Sequence, residues 1–157
     1  MLKSWLVIGG ITLIVALGTI LMRPRDTVWG VQLLRPQWLI FEPAIPFIWT
    51  FIFICGAGSA ILIWEKDPGS LKTWLLMALY LVLEVVTVAY IPMTLRLRSL
   101  KVGLILGAVG LVLAVSLTLL IWPISGLAAA LLIPYLLWSP VGTYTTWEMI
   151  QLNPEAA

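Results

Sequence analysis

Glu84 is the side chain in this sequence best placed to do chemistry. It sits near the middle of a long apolar stretch, where a charged acid costs roughly 2.5–3.5 kcal/mol on insertion scales and by default faces a bundle interior. Tyr80, Glu84 and Thr87 recur at helical spacing, which puts them on one stripe. Two uses are open for the acid. It can meet a polar group of a ligand or relay a proton in a cavity, or it can sit protonated in a hydrogen bond to a neighbouring helix. A second stripe lies toward the C-terminus, where Tyr135, Trp138, Gly142 and Thr145 share one helical face. Trp138 is near mid-span, too deep for an interface anchor. Gly142 leaves a gap beside it that suits a flat ligand or the close approach of another helix.

The residues that are missing narrow the chemistry. The chain has no histidine and one cysteine, Cys55. A tetrahedral zinc site has no ligands to draw on. Ser-His and Cys-His nucleophile pairs are excluded, as are haem held by histidine and an intrachain disulfide. Cys55 lies in an apolar stretch and reads as a small packing residue. The net charge of +2 is small and scattered, so no nucleic-acid surface is expected. No catalytic residue and no obligatory cofactor is assigned.

These stripes need helices in a membrane to hold them. Hydrophobic residues make up 62% of the chain and the mean hydropathy is +1.09, beyond the range of an ordinary soluble domain. Five apolar stretches approach or exceed the length of a membrane helix, about 20 residues. They are residues 5–22, 44–64, 74–93, 102–122 and 126–147. Continuous apolar runs select helices over a barrel. The reading is one all-α integral membrane domain over residues 1–157, a five-helix bundle. Pro134 and Pro140 are expected to kink the fifth helix. A signal peptide is the weaker alternative for the first stretch, because its apolar run continues past Gly18 to Met22.

The first connection, Arg23 to Pro43, is long and carries Trp29 and Trp38. Tryptophan is poor in disordered segments, so this loop is expected to fold as a lid over the bundle. Arg23, Arg25, Arg35, Arg96, Arg98 and Lys101 fall on one side of a five-span topology, against Lys3, Lys66 and Lys72 on the other. That bias places the long loop and the C-terminus in the cytoplasm and the N-terminus outside. On the fourth stretch Gly103, Gly107, Gly110 and Ala114 make a smooth face, suited either to packing within the chain or to a homodimer.

Nine tryptophans remain to be sorted. Trp5, Trp64, Trp74, Trp122 and Trp147 stand at predicted span ends, where aromatic belts form. Trp29, Trp38, Trp49 and Trp138 do not fit that role equally well. They carry a likeness to a known family. The loop reads Trp29-Gly30-Val31-Gln32-Leu33-Leu34-Arg35-Pro36-Gln37-Trp38, with Trp49-Thr50 opening the second stretch thirteen residues after Pro36 and Trp64 closing it. The C-terminal region contains Leu131-Leu132-Ile133-Pro134-Tyr135-Leu136-Leu137-Trp138 and then Leu152-Asn153-Pro154. This pattern resembles the TspO/MBR family, the tryptophan-rich sensory proteins related to the mitochondrial translocator protein. The resemblance covers about residues 29–154. The sequence departs from the family at Ile40 and Phe41, where paired prolines are usual, and at Leu83, Thr87, Tyr90, Val141, Gly142, Thr145, Thr146 and Gln151.

The resemblance implies a cavity between the helices, under the first loop, for porphyrins, haem or similar flat hydrophobic molecules. Trp49 and Trp138 would flank the ligand, Tyr135 and Gly142 would line the same face, and Glu84 or Thr87 would meet a polar edge. Trp38 would meet the ligand from the lid, which includes Trp29, Arg35 and Pro36. By charge matching alone, Arg35 or the Arg96–Arg98 pair would draw porphyrin carboxylates. The expected function is that of a membrane receptor or carrier for tetrapyrroles. The alternatives are a structural or assembly subunit of a membrane complex and a light-dependent porphyrin-degrading enzyme, the latter suggested by the family and the tryptophans alone.

Overall fold

The computed structural model describes residues 3–157, and among them all regular structure is helical. Helix α1 (Ser4–Ala16) tightens into a 3-10 turn at Leu17–Leu21, and α2 (Pro24–Gln32) follows within the first loop. A second 3-10 turn, Glu42–Ala44, leads into α3 (Ile45–Lys66). Then come α4 (Leu71–Leu97), α5 (Leu100–Ile121), the short α6 (Gly126–Ala130), α7 (Ile133–Leu152) and a final 3-10 turn at Pro154–Ala156. Four segments are long and apolar enough to cross a bilayer: Glu42–Lys66, Leu71–Leu97, Leu100–Ile121 and Gly126–Leu152. The first helix qualifies as a fifth only together with α2, across a sharp bend. Large apolar side chains such as Ile14, Ile20, Phe47 and Leu119 point outward. So much exposed apolar surface suits lipid, not water. The molecule is an all-α integral membrane bundle.

Local chemistry sets the helix ends. Pro24 opens α2 in its first turn, where no N–H is needed. Ser70 caps α4 by accepting from the Thr73 amide at 3.1 Å. At the other end of α4, Arg98 takes a left-handed conformation with φ 50°, and the Ser99 amide bonds back to the Thr94 carbonyl at 3.1 Å. Helix α4 runs through Pro92 to Leu97, four residues beyond the expected end.

The last span differs from the expected helix kinked at two prolines. It is broken before Pro134, and α7 then continues through Pro140 as far as Leu152. Pro134 falls in the first turn of α7, where its missing N–H costs nothing. The break diverts the Leu132 amide to the Ala129 carbonyl, at 3.0 Å. The Ala128 carbonyl thereby loses its usual helical donor, and Ser59 Oγ on α3 donates to it at 2.7 Å. Ser59 is fully buried, so a proline signal on one helix is answered by a hydroxyl on another. Buried backbone in a membrane protein requires this.

The small-residue face of α5 packs within the chain. A Cβ added at Gly103 would lie 2.6 Å from Thr94 Oγ1, at Gly107 2.6 Å from Thr143 Oγ1, and at Gly110 2.6 Å from the Tyr135 hydroxyl. Ala114, next on the stripe, is completely buried. Of the two uses expected of Gly103, Gly107, Gly110 and Ala114, packing within the chain is the one seen: α4 and α7 occupy that face. These two contacts of α5 are the most extensive in the bundle.

Replacing Gly110 with valine should lower stability by roughly 1–3 kcal/mol, the usual cost of overpacking, because Tyr135 must give way. Gly9→Ala, where an added Cβ meets nothing within 4 Å, should leave the melting temperature in detergent nearly unchanged.

Candidate functional site

Helices α3, α4 and α7 enclose a small cavity, of about 30 Å³, in the middle of the bundle. Trp49 and Phe53 come from α3, Tyr80, Glu84 and Thr87 from α4, and Tyr135 from α7, with Ile52, Leu83 and Leu132 completing the apolar lining. The stripe read from Tyr80, Glu84 and Thr87 is therefore one wall. Trp49 meets Tyr135 edge to face, with ring centroids 5.9 Å apart. Four of the seven candidate ligand residues, Trp49, Glu84, Thr87 and Tyr135, share this lining. Trp38, Trp138 and Gly142 do not.

The polar groups of this cavity are all engaged. Thr12 Oγ1 on α1 donates to Glu84 Oε1 at 2.6 Å, so the acid is held across a helix seam as well as facing the cavity. Thr87 Oγ1 donates to the Leu83 carbonyl at 2.7 Å. That leaves the Tyr135 hydroxyl, 2.9 Å away, to donate to Thr87. The Tyr80 hydroxyl lies 2.6 Å from Ser59 Oγ. Since Ser59 gives its proton to Ala128, Tyr80 is the donor. Thr12 and Ser59 were missed at the sequence level. A lone Thr or Ser in an apolar helix carries no signal of its partner, which here lies on a different helix.

Trp138 has another neighbour. Phe41, from the first loop, packs edge-on against it at 6.0 Å. The Phe41 ring packs against the indole that was expected to flank a ligand. From Phe41 the contacts continue to Trp38 at 6.0 Å, from Trp38 to Tyr144 at 6.1 Å, and from Tyr144 to Trp147 at 5.7 Å. Trp38 Nε1 also donates to Glu148 Oε2 at 2.5 Å. The loop is thus laid along α7 by aromatic contacts. Space is open beside Gly142, where an added Cβ meets nothing within 4 Å.

The rest of the loop is held by its own polar groups. Arg35 Nε pairs with Glu42 Oε1 at 2.7 Å, and its other nitrogens donate to the Leu33 carbonyl at 2.9 Å and the Gly30 carbonyl at 3.3 Å. This arginine closes the end of α2. Pro36 is buried, and Trp29 is half-buried on α2. Asn153 fastens the loop to the C-terminal end of α7. Its Oδ1 accepts from the Leu34 amide at 2.8 Å, and its Nδ2 donates to the Leu34 carbonyl at 3.0 Å and to the Met149 carbonyl at 2.8 Å. The Leu152-Asn153-Pro154 motif therefore works as a latch for the loop.

The sequence profile of the TspO/MBR family matches residues 6–152 of this 157-residue chain, and the chain belongs to that family. In general terms this makes it a membrane sensory or binding protein. No individual curated protein matches the chain.

Asn153→Ala would remove the bonds to the Leu34 amide and carbonyl, worth about 0.5–1.5 kcal/mol each. The expected result is faster chymotryptic cleavage within residues 29–41, read as a time course by mass spectrometry, with the melting of the helical bundle changed much less.

Proposed function

We propose that this protein binds a flat, largely apolar ligand of the tetrapyrrole class in the cavity between α3, α4 and α7. One observation carries the reading. Indole, phenyl and phenol rings from three elements converge with one carboxyl and one threonine hydroxyl on a single, partly open space. Aromatic walls with a few placed polar groups are what a flat apolar molecule with a polar edge requires. Glu84 and Thr87 supply that edge.

The cavity of about 30 Å³ holds roughly one water, so binding requires the walls to part. Trp49 and Phe53 are half-buried side chains in the first half of α3, next to the loop. Their outward rotation would enlarge the cavity without breaking the Thr12–Glu84 or Tyr135–Thr87 bonds. In this reading the loop end faces the cytoplasm, as the arginines at that end argue.

Titration of the purified protein with protoporphyrin, followed by the pigment's Soret absorbance, tests the proposal. Saturable binding is expected, weakened about three- to tenfold by Trp49→Leu, the range of one aromatic contact. It should be nearly unaffected by Trp138→Leu, whose ring meets Phe41 outside the cavity. Absence of saturable binding in the parent protein would sink the proposal. Equal losses in both variants would move the site away from Trp49.

A further inference from the structure

A cavity larger than the aromatic one lies on another side of α4. A groove of about 370 Å³ runs between the first helix and α4. Its banks are apolar, with Ile14 and Gly18 on one side and Val85, Ala89 and Pro92 on the other. At the loop end it meets Arg23, Asp26 and Arg96. Asp26 is buried and has Arg25 beside it at 3.7 Å. The guanidiniums of Arg23 and Arg96, both exposed, therefore carry the uncompensated charge at the mouth.

We propose that this groove is a binding site for one anionic phospholipid of the surrounding bilayer. An acyl chain would lie along the apolar banks and the phosphate would lie between Arg23 and Arg96. The dimensions agree. Val85 and Arg96 are eleven residues apart on one helix, roughly 16 Å at 1.5 Å per residue, and one leaflet's hydrocarbon depth is about 15 Å. The polarity agrees as well, because apolar surface gives way to arginine where the hydrocarbon ends and headgroups begin. Gly18 lets the first helix approach α4 along the groove floor, since an added Cβ would lie 3.2 Å from Val88 Cγ1. The site is separate from the aromatic cavity, so neither proposal depends on the other.

Native mass spectrometry on detergent-solubilised protein offered equal amounts of palmitoyl-oleoyl phosphatidylglycerol and phosphatidylcholine tests it. One phosphatidylglycerol per chain should be retained in preference. R23Q/R96Q should cut that preference by about fivefold for each arginine removed. R98Q/K101Q removes the same charge from the same end but not from the groove, and should leave the preference intact. Ala89→Phe, which fills the groove, should lower retention of both lipids. Because the arginine variants alter exposed side chains, their melting temperatures should match the parent's. Equal retention of the two lipids, equal effects of the two double variants, or a dimer that carries no lipid would overturn the proposal.

Discussion

A phenol inside a membrane bundle has no water to bond, and this constraint organises the helices. Each of the three tyrosines facing the interior meets it in the same way. Tyr80 donates to Ser59, which donates to the Ala128 carbonyl; Tyr135 donates to Thr87, which donates to the Leu83 carbonyl. Tyr90 and Thr146 form the third pair, with Thr146 donating to the Gly142 carbonyl. Every relay crosses from one helix to another and ends on backbone. Between helices in lipid there is little hydrophobic force to collect them, so packing and such bonds must set their positions. The relays tie α4 to α3 and to α7. The glycines of α5 then let that helix come close enough to Thr94, Thr143 and Tyr135 to complete the bundle.

The cavity is a by-product of the same relays. Tyr80 and Tyr135 are held in its wall because their hydroxyls are engaged elsewhere, and Thr87 faces it for the same reason. Glu84 is the exception, tied to Thr12 on the first helix. A change in that helix can therefore reach the cavity through a single bond. The walls close on each other to leave room for little more than a water. A larger ligand must work against aromatic contacts between Trp49, Phe53 and Tyr135 while the relays stay in place.

The first loop is held by different chemistry. Aromatic contacts run from Trp138 through Phe41, Trp38 and Tyr144 to Trp147, and the Asn153 latch and the Arg35–Glu42 pair hold the rest. Phe41 bears on the site through its contact with α7. It covers Trp138, so that indole serves loop docking while Trp49 remains in the cavity wall. The tryptophans thus divide by neighbour as well as by depth. Trp5, Trp74, Trp122 and Trp147 are exposed near helix ends, Trp64 packs on Trp74 at 4.9 Å, and Trp49 lines the cavity.

What the sequence determined alone was whatever depends on order along one helix. Hydropathy marked four of the membrane segments to within about five residues at either end, since the length of a bilayer helix is set by the bilayer. Helical spacing put Tyr80, Glu84 and Thr87 on one wall, and the tryptophan and proline motifs indicated the family. Tertiary structure decided whatever depends on the partner across a helix seam. That Thr12 meets Glu84, that Ser59 answers the break before Pro134, and that Phe41 covers Trp138 all join residues tens of positions apart. The α5 stripe shows the same limit. Its glycines announced a close approach, but only the fold chose α4 and α7 over a second chain. Spacing along a helix fixes which direction a side chain faces; what lies in that direction is set by how the other helices pack.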